Sequence, residues 1–217
     1  MSTEPRVFVV DDDEPFRRSV VFLLRSAGFA TQGFAAVEEF LAFPAPDEVG
    51  CVVTDLRMPG SSGLDLQAAL LGRGSTLGIV FISAFAGVRD ATQAMRDGAV
   101  DFLEKPLDAD RLVARVRDAI AWSAQERQRR EANLRVASCW QRLTPREREI
   151  MEAVAAGQRS RDIALALGIS PRTVEVHRAR IMEKMEVESI ADLVRCAMLL
   201  RDGKAAAAAV EDREKGS

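Results

Sequence analysis

The chain has 217 residues, of which 47% are hydrophobic and 29% charged, and its formal net charge at pH 7 is −3. This composition is typical of a folded globular protein and excludes an intrinsically disordered chain. The charge is unevenly spread: residues 1–110 carry 17 acidic against 9 basic side chains, a balance of −8, whereas 111–136 carry +4 and 137–204 carry +2. An acidic N-terminal half and a more basic C-terminal half indicate two modules with different partners. The net charge of +2 over residues 137–204 is too small to establish nucleic-acid binding by itself.

The three cysteines are odd in number and have no paired spacing. Cys51, Cys139 and Cys196 are therefore predicted to be reduced thiols, with no disulfide and no zinc site. The first residues lack a charged segment followed by an apolar one, and no apolar run approaches the length of a membrane span. We expect a cytoplasmic protein without a membrane partner.

Short apolar runs that each end at polar residues recur through the first module. They are 7–10 before Asp11-Asp12, 51–54 before Asp55, 79–82 before Ser83, and 100–104 before Lys105-Pro106. With helix-length segments between them and a further strand around 29–34, these runs predict an α/β fold, a doubly wound parallel sheet of five strands in the order 2-1-3-4-5. The carboxyl ends of such strands meet on one rim. Three carboxylates, a hydroxyl and an ammonium gathered there would suit a divalent cation and a phosphoryl group.

Start and stop signals divide the second module into four helices. Thr144, Pro145 and Glu147 form a capping box with proline at the first helical position, so a helix is predicted from there to about Ala156. Further helices are predicted over 160–167, 171–185 and 189–200. The middle pair, joined through Gly168, reads as a helix-turn-helix whose second helix would lie in the major groove of DNA.

These patterns predict four segments along the chain. They are an α/β domain at 1–121, a helical linker at 122–138, an all-α helix-turn-helix domain at 139–204 and a disordered tail at 205–217. The linker is almost wholly polar after Ser123, which favours a solvated helix over a coiled coil because few apolar heptad positions persist.

Residues 5–121 resemble the receiver domain of bacterial two-component response regulators. The resemblance is carried by Asp11-Asp12, by the segment Thr54–Gly60 around Asp55, by Ser83, and by Lys105-Pro106 after Phe102. It implies that Asp55 accepts a phosphoryl group from a histidine kinase in the presence of Mg²⁺. Oxygen ligands suit that ion, and phosphoryl transfer needs charge neutralisation and alignment above all.

The same resemblance implies a role for each residue around Asp55. Asp12, Asp55 and the backbone carbonyl of Arg57 would bind Mg²⁺ directly, and Asp11 would act through water. Lys105 and Ser83 would contact the phosphoryl oxygens, with the peptide bond before Pro106 in the cis form. Ser83 and Phe102 would form a switch that biases the surface of 87–118 towards dimerisation. Taken singly, each residue also has a structural explanation, such as a favourable interaction of Asp13 and Glu14 with the positive start of the following helix.

Residues 143–200 resemble the four-helix output domain of the LuxR/NarL type, and the whole chain is similar to the FixJ-like branch. The third helix is predicted to pack inward through Val174, Ile181 and Met185 and to meet DNA with other faces. Glu175 and Val176 suit base edges, whereas Arg172, Thr173, Arg178, Arg180 and Lys184 suit phosphates. His177 is expected to be structural or phosphate-contacting, and Ala179 lies on the DNA side. The last helix would be the dimer contact on DNA.

Together the modules indicate a phosphorylation-activated transcription regulator and not an enzyme. Its predicted partners are a histidine kinase, double-stranded promoter DNA and a second copy of the chain, and RNA polymerase stays an open partner. Two alternatives remain open at this stage: a Mg²⁺-dependent phosphatase, and a phosphorylation-independent DNA- or RNA-binding regulator. The absence of a second acid–base carboxylate after Asp55 argues against the phosphatase, and the helix-turn-helix argues against RNA.

Overall fold

The computed structural model of the chain describes residues 4–43, 49–84 and 88–201, with the backbone alone described at 88–90. The predicted tail at 205–217 lies outside these residues. The chain divides into two compact units, 1–128 and 129–217. Across the described ranges, no helix combines the length and the apolar character needed to cross a membrane.

Five parallel strands form the sheet of the first unit. They are β1 Arg6–Val10, β2 Ala30–Phe34, β3 Gly50–Asp55, β4 Gly78–Ser83 and β5 Asp101–Glu104. The strand order is β2-β1-β3-β4-β5, and every neighbouring pair is parallel. The predicted fold class and strand order are therefore confirmed.

Five helices alternate with these strands and cover both faces of the sheet. They are α1 Glu14–Ser26, α2 Val37–Ala42, α3 Gly63–Gly72, α4 Val88–Arg96 and α5 Ala109–Gln141. Because successive strand residues point to opposite faces, Val53 packs with α1 and α5 whereas Val52 packs with α2 and α3. Strands buried on both sides explain the nearly continuous apolar runs of the sequence.

Local signals at both ends of α1 explain its bounds. The Asp13 side chain accepts a hydrogen bond from the Phe16 backbone as the N-cap, and Pro15 lies in the first turn. Gly28, just after the helix, has φ +91°, a left-handed conformation that glycine adopts without steric cost. Asp13 therefore stabilises the start of α1 as its N-cap, and Gly28 terminates the helix.

The last helix of the sheet unit is longer than its docking face requires. α5 has 33 residues, and the division between the two units falls within it. Ser123 differs from the expectation of a solvated linker. Its side chain is fully buried, and its Oγ accepts a hydrogen bond from the Gly50 backbone at the start of β3, 3.1 Å away. A polar residue therefore serves the packing of the sheet unit, because its hydroxyl satisfies a buried N–H group.

The second unit contains the end of α5 and a set of shorter helices. These are α6 Pro145–Ala155, α7 Ser160–Leu167, α8 Pro171–Met185 and a helix at 190–201, named α9. The capping box of Thr144 and Glu147 is formed as predicted. Gly168 ends α7 with φ 64°, and the Ser170 side chain caps α8. All three cysteines of the chain are free thiols, as expected, and burial raises the pKa of the Cys51 thiol.

Candidate functional site

Three carboxylates converge where β1 and β3 end. Val10 pairs with Thr54 across these neighbouring strands, so the residues that follow, Asp11 and Asp55, emerge side by side. Asp12 joins them, and one oxygen from each of the three side chains lies within 4.8 Å of the others. This acidic cluster contains the three carboxylates that the sequence assigned to a metal site, and its ligand atoms are all oxygens, which Mg²⁺ prefers.

Lys105 bridges two of these carboxylates from the end of β5. Its Nζ lies 2.6 Å from Asp55 Oδ2 and 3.1 Å from Asp11 Oδ2, and its side chain is only 20% exposed. The peptide bond between Lys105 and Pro106 is cis, as the resemblance implied. Two charge-assisted hydrogen bonds in a half-buried setting hold the ammonium in place.

Burial and charge oppose each other in this cluster. Burial raises the pKa of Asp11, and the hydrogen bond and charge of Lys105 offset it only in part, so the pKa stays above its ordinary value. For Lys105, burial lowers the pKa, but the hydrogen bonds and charges of Asp55 and Asp11 outweigh it and the pKa is raised. The lysine is thus held in its charged form.

Backbone amides orient the carboxylates from the other side. The Asp13 N–H donates to Asp11 Oδ1 at 2.9 Å, and the Arg57 N–H donates to Asp55 Oδ1 at 3.1 Å. Arg57, whose carbonyl the sequence assigned to the metal, therefore lies in the loop that wraps Asp55. Each of these two carboxylates has one oxygen fixed by the backbone and one contacted by Lys105.

The two residues predicted to act as a switch lie on adjacent strands. Ser83 is the last residue of β4 and is only 2% exposed, next to the strand that carries Asp55. Phe102 is half-buried in β5, and its ring stacks on Phe81 with centroids 6.2 Å apart. Their positions are consistent with the predicted switch, which stays a prediction.

Two contacts to this cluster were not predicted. The Lys105 Nζ lies 3.9 Å from the centre of the Phe16 ring, a cation–π contact. Arg17 Nη1 donates to the Asp11 carbonyl at 2.5 Å. The available signal was the position of Phe16 and Arg17 in the first turn after the acidic run.

The second unit presents a helix-turn-helix made of α7, the Gly168 turn and α8. The inward face of α8 is the predicted one, since Val174, Ile181 and Met185 are buried. Most of the residues assigned to DNA are exposed: Arg172, Thr173, Glu175, Val176, Ala179 and Arg180. His177, Arg178 and Lys184 are half-buried, and His177 Nδ1 has no hydrogen-bond partner among the described residues.

Lys184, assigned to a DNA phosphate from the sequence, is engaged within the protein. Its Nζ lies 2.7 Å from Glu147 Oε2, and Glu147 is only 3% exposed. The Thr144 backbone N–H donates to the same oxygen at 2.8 Å. Burial raises the pKa of Glu147, but the hydrogen bonds from Lys184 and Thr144 outweigh it and leave the pKa below its ordinary value. This pair ties the start of α6 to the last turn of α8.

We expect Glu147→Ala to lower the free energy of unfolding of the second unit by about 2–3 kcal/mol, the scale of lost charge-assisted hydrogen bonds at a buried site. Urea unfolding followed by Trp140 fluorescence, in a Trp122→Phe background that removes the other tryptophan, measures this. Glu149→Ala is the matched control: its carboxylate is exposed and, among the described residues, pairs with Arg146 alone, so the change should stay within about 0.5 kcal/mol. Equal effects of the two substitutions would contradict the role of Glu147.

The stability of this unit should also depend on pH through Glu147. A carboxylate whose pKa is lower in the folded state stabilises fully above its unfolded pKa, and that stability is lost as the pH falls towards the folded pKa. We therefore expect the unfolding free energy to fall below about pH 4.5. In Glu147→Gln this part of the pH dependence should vanish, and its persistence would assign it to another carboxylate.

Both units match families of known proteins. Residues 7–117 match the family model described as response regulator receiver domain, and 141–197 match that described as bacterial regulatory proteins, luxR family. The chain is 42% identical to the transcriptional regulatory protein FixJ of Azorhizobium caulinodans, over 89% of this chain and 92% of that one. It is 41% identical to the tetrathionate response regulatory protein TtrR of Salmonella typhimurium, over 87% and 90%.

Two of the solved structures that resemble this chain cover about nine-tenths of it. The response regulator StyR has a TM-score of 0.74 at 38% identity, covering 90% of this chain and 99% of that one. Full-length FixJ from B. japonicum has a TM-score of 0.55 at 41% identity, covering 91% of this chain and 97% of that one.

Proposed function

This chain belongs to the NarL/LuxR family of two-component transcriptional response regulators, in the FixJ-like branch, and on that premise we propose that Asp55 is its phosphoacceptor. The observation that carries the proposal is the bridge from Lys105 to Asp55 and Asp11 inside a cluster of three carboxylates. If Lys105 were only a surface charge and the aspartates only stabilised a helix start, these side chains would not need to lie together. The second unit then supplies the DNA-binding output.

The chemistry follows from the groups around Asp55. A carboxylate oxygen of Asp55 attacks the phosphorus of a phosphohistidine in a partner kinase. The phosphorus–nitrogen bond breaks as the phosphorus–oxygen bond forms, and the leaving imidazole keeps the electron pair and takes up a proton. The carboxylate has no proton to lose, so no general base is needed. Lys105 then pairs with the transferred oxygens, and Ser83 donates a hydrogen bond to one of them.

Asp11, Asp12 and Asp55, with the carbonyl of Arg57, are the residues that would hold Mg²⁺. When bound, the ion neutralises charge on the carboxylates and on the phosphoryl group. Without such neutralisation, a dianionic phosphoryl donor would approach three carboxylates, of which Lys105 contacts two.

Phosphorylation should act on the output through the switch predicted at Ser83 and Phe102. Once Ser83 turns towards the phosphoryl group, Phe102 can move into the vacated space and bias the surface of 87–118 towards a second copy of the chain. Dimerisation would bring two copies of α8 to a pseudo-palindromic promoter site in the cytoplasm. Activation of transcription, with RNA polymerase as a further partner, is the direction carried over from the resemblance.

Removal of Mg²⁺ should abolish phosphoryl uptake from a small acyl phosphate. Asp12→Asn should raise the Mg²⁺ concentration needed for half-maximal uptake at least tenfold, because it removes a proposed ligand. Asp13→Asn is the matched control: it changes the adjacent carboxylate to a residue that still caps α1, and it should behave as wild type. Intact-protein mass after a fixed reaction time measures uptake, and full uptake in a chelator would contradict the metal assignment.

A further inference from the structure

We propose that Ser160, at the start of α7, is a positioning residue that fixes the Glu175 carboxylate of α8 and thereby sets which base pair the helix accepts. The proposal deepens the DNA-binding role proposed above and rests on it. Nothing in the family resemblance assigned a role to Ser160, and the signal that identifies it is a set of contacts between two helices.

The contacts form a closed triangle of three polar atoms. Ser160 Oγ donates to Glu175 Oε1 at 2.5 Å, and Arg178 Nη1 donates to Ser160 Oγ at 2.6 Å. Arg178 Nη1 also donates to Glu175 Oε1, 3.1 Å away. The donors and acceptors match without conflict, because a hydroxyl has one proton to give and lone pairs to accept, while a guanidinium nitrogen has two N–H groups. Every polar atom of the triangle is therefore satisfied in one arrangement.

The triangle leaves the other half of the carboxylate available. Within the described part of the chain, both hydrogen bonds to Glu175 end on Oε1, and none ends on Oε2. The side chain is 58% exposed, on the outer face of the helix predicted to enter the major groove. A carboxylate oxygen held in this way can accept from the amino group of cytosine, the one base edge in that groove whose hydrogen-bonding groups are a donor alone.

Fixing this side chain affects selectivity more than affinity. A free glutamate on a helix surface samples many rotamers and is repelled by phosphates, so it would rarely present one oxygen to one base. Ser160 and Arg178 select one rotamer before DNA arrives, and this preorganisation strengthens the contact only where the matching base is present. The hydroxyl itself carries no charge, so its loss should leave the salt-dependent attraction to DNA unchanged.

The test is a binding-site selection from random DNA with the phosphorylated full-length protein, followed by affinities for every single-base variant of the selected site. The base pair read by Glu175 is the one whose preference disappears in Glu175→Gln. At that pair, Ser160→Ala should reduce discrimination about tenfold, within the range of a good base contact. Discrimination at the other pairs and the affinity for unrelated DNA should change less than about twofold.

Two further variants separate positioning from a packing role. Ser160→Thr keeps the hydroxyl and should restore discrimination, and Ser160→Ala should have no additional effect at that pair when Glu175 is already Gln. A uniform loss of discrimination at all base pairs, or a loss that Ser160→Thr does not rescue, would overturn the role of Ser160. The proposed DNA-binding function would be unaffected by that result. A wild-type protein with no sequence preference would overturn the proposed function, and the role of Ser160 with it.

Discussion

Replacing Asp55 with Asn is expected to abolish phosphoryl uptake completely and, with it, any rise in DNA affinity on phosphorylation. The amide does not form an acyl phosphate, because its remaining oxygen carries no negative charge and is too weak a nucleophile to attack phosphorus. Asn is nearly the same size as Asp, and its single carbonyl oxygen can still accept from either the Arg57 N–H or Lys105, which contact different oxygens of Asp55. The fold should therefore survive while the chemistry stops.

Intact-protein mass after reaction with an acyl phosphate and Mg²⁺ measures the uptake. Asp118→Asn is the matched control, since this carboxylate is exposed and pairs with Arg115 one turn away on α5. It should take up one phosphoryl group as the wild type does. If Asp55→Asn still gained one phosphoryl group, peptide mapping would identify another acceptor, and the assignment of Asp55 would be wrong.

Lys105→Met should give the second largest effect: it should slow phosphoryl uptake and strengthen Mg²⁺ binding. The substitution keeps an unbranched stem but removes the ammonium that contacts Asp55 and Asp11. The rate of phosphoryl uptake should fall about ten- to a hundredfold, because a charge-assisted hydrogen bond to the transferred group is lost. The affinity for Mg²⁺ should rise, since a competing cation leaves the carboxylates.

Time courses of phosphoryl uptake measure the rate, and calorimetric titration with Mg²⁺ measures the affinity. Lys105→Arg is the informative control, because it retains the charge in a larger planar group. It should keep the Mg²⁺ affinity near that of wild type and recover only part of the rate. A Lys105→Met protein with an unchanged rate would remove Lys105 from the proposed chemistry, and weaker Mg²⁺ binding would show that the lysine supports the carboxylates instead of competing for them.

Features with a local sequence signal were predictable. The run 51–54 ends at Asp55 because a strand buried on both faces is apolar until it reaches the rim, and β3 ends at that residue. Thr144 and Glu147 predicted the start of α6 because a capping box is satisfied within one turn of chain. The exposed and buried faces of α8 followed from helical spacing in the same way.

Contacts between distant residues were not predictable where neither a strand end nor the family resemblance marked them. Ser123 looked like the start of a solvated linker, yet its hydroxyl is buried against Gly50, 73 positions away in the sequence. Lys184 looked like a phosphate contact because its charge was visible but its partner Glu147 was not. The Phe16 ring beside Lys105 and the triangle of Ser160 are of the same kind. Periodicity assigns a side chain to a face, and only packing decides which groups meet there.

The most direct test of the account compares one full-length preparation with itself, before and after phosphorylation. The DNA sequence is the one selected from random DNA by the phosphorylated protein, and fluorescence anisotropy at fixed salt gives both affinities. We expect the DNA affinity to rise roughly 5- to 150-fold, the usual range of coupling between two sites, and to fall back when the acyl phosphate hydrolyses. Equal affinities, with one phosphoryl group on Asp55 verified by mass and peptide mapping, would contradict this expectation.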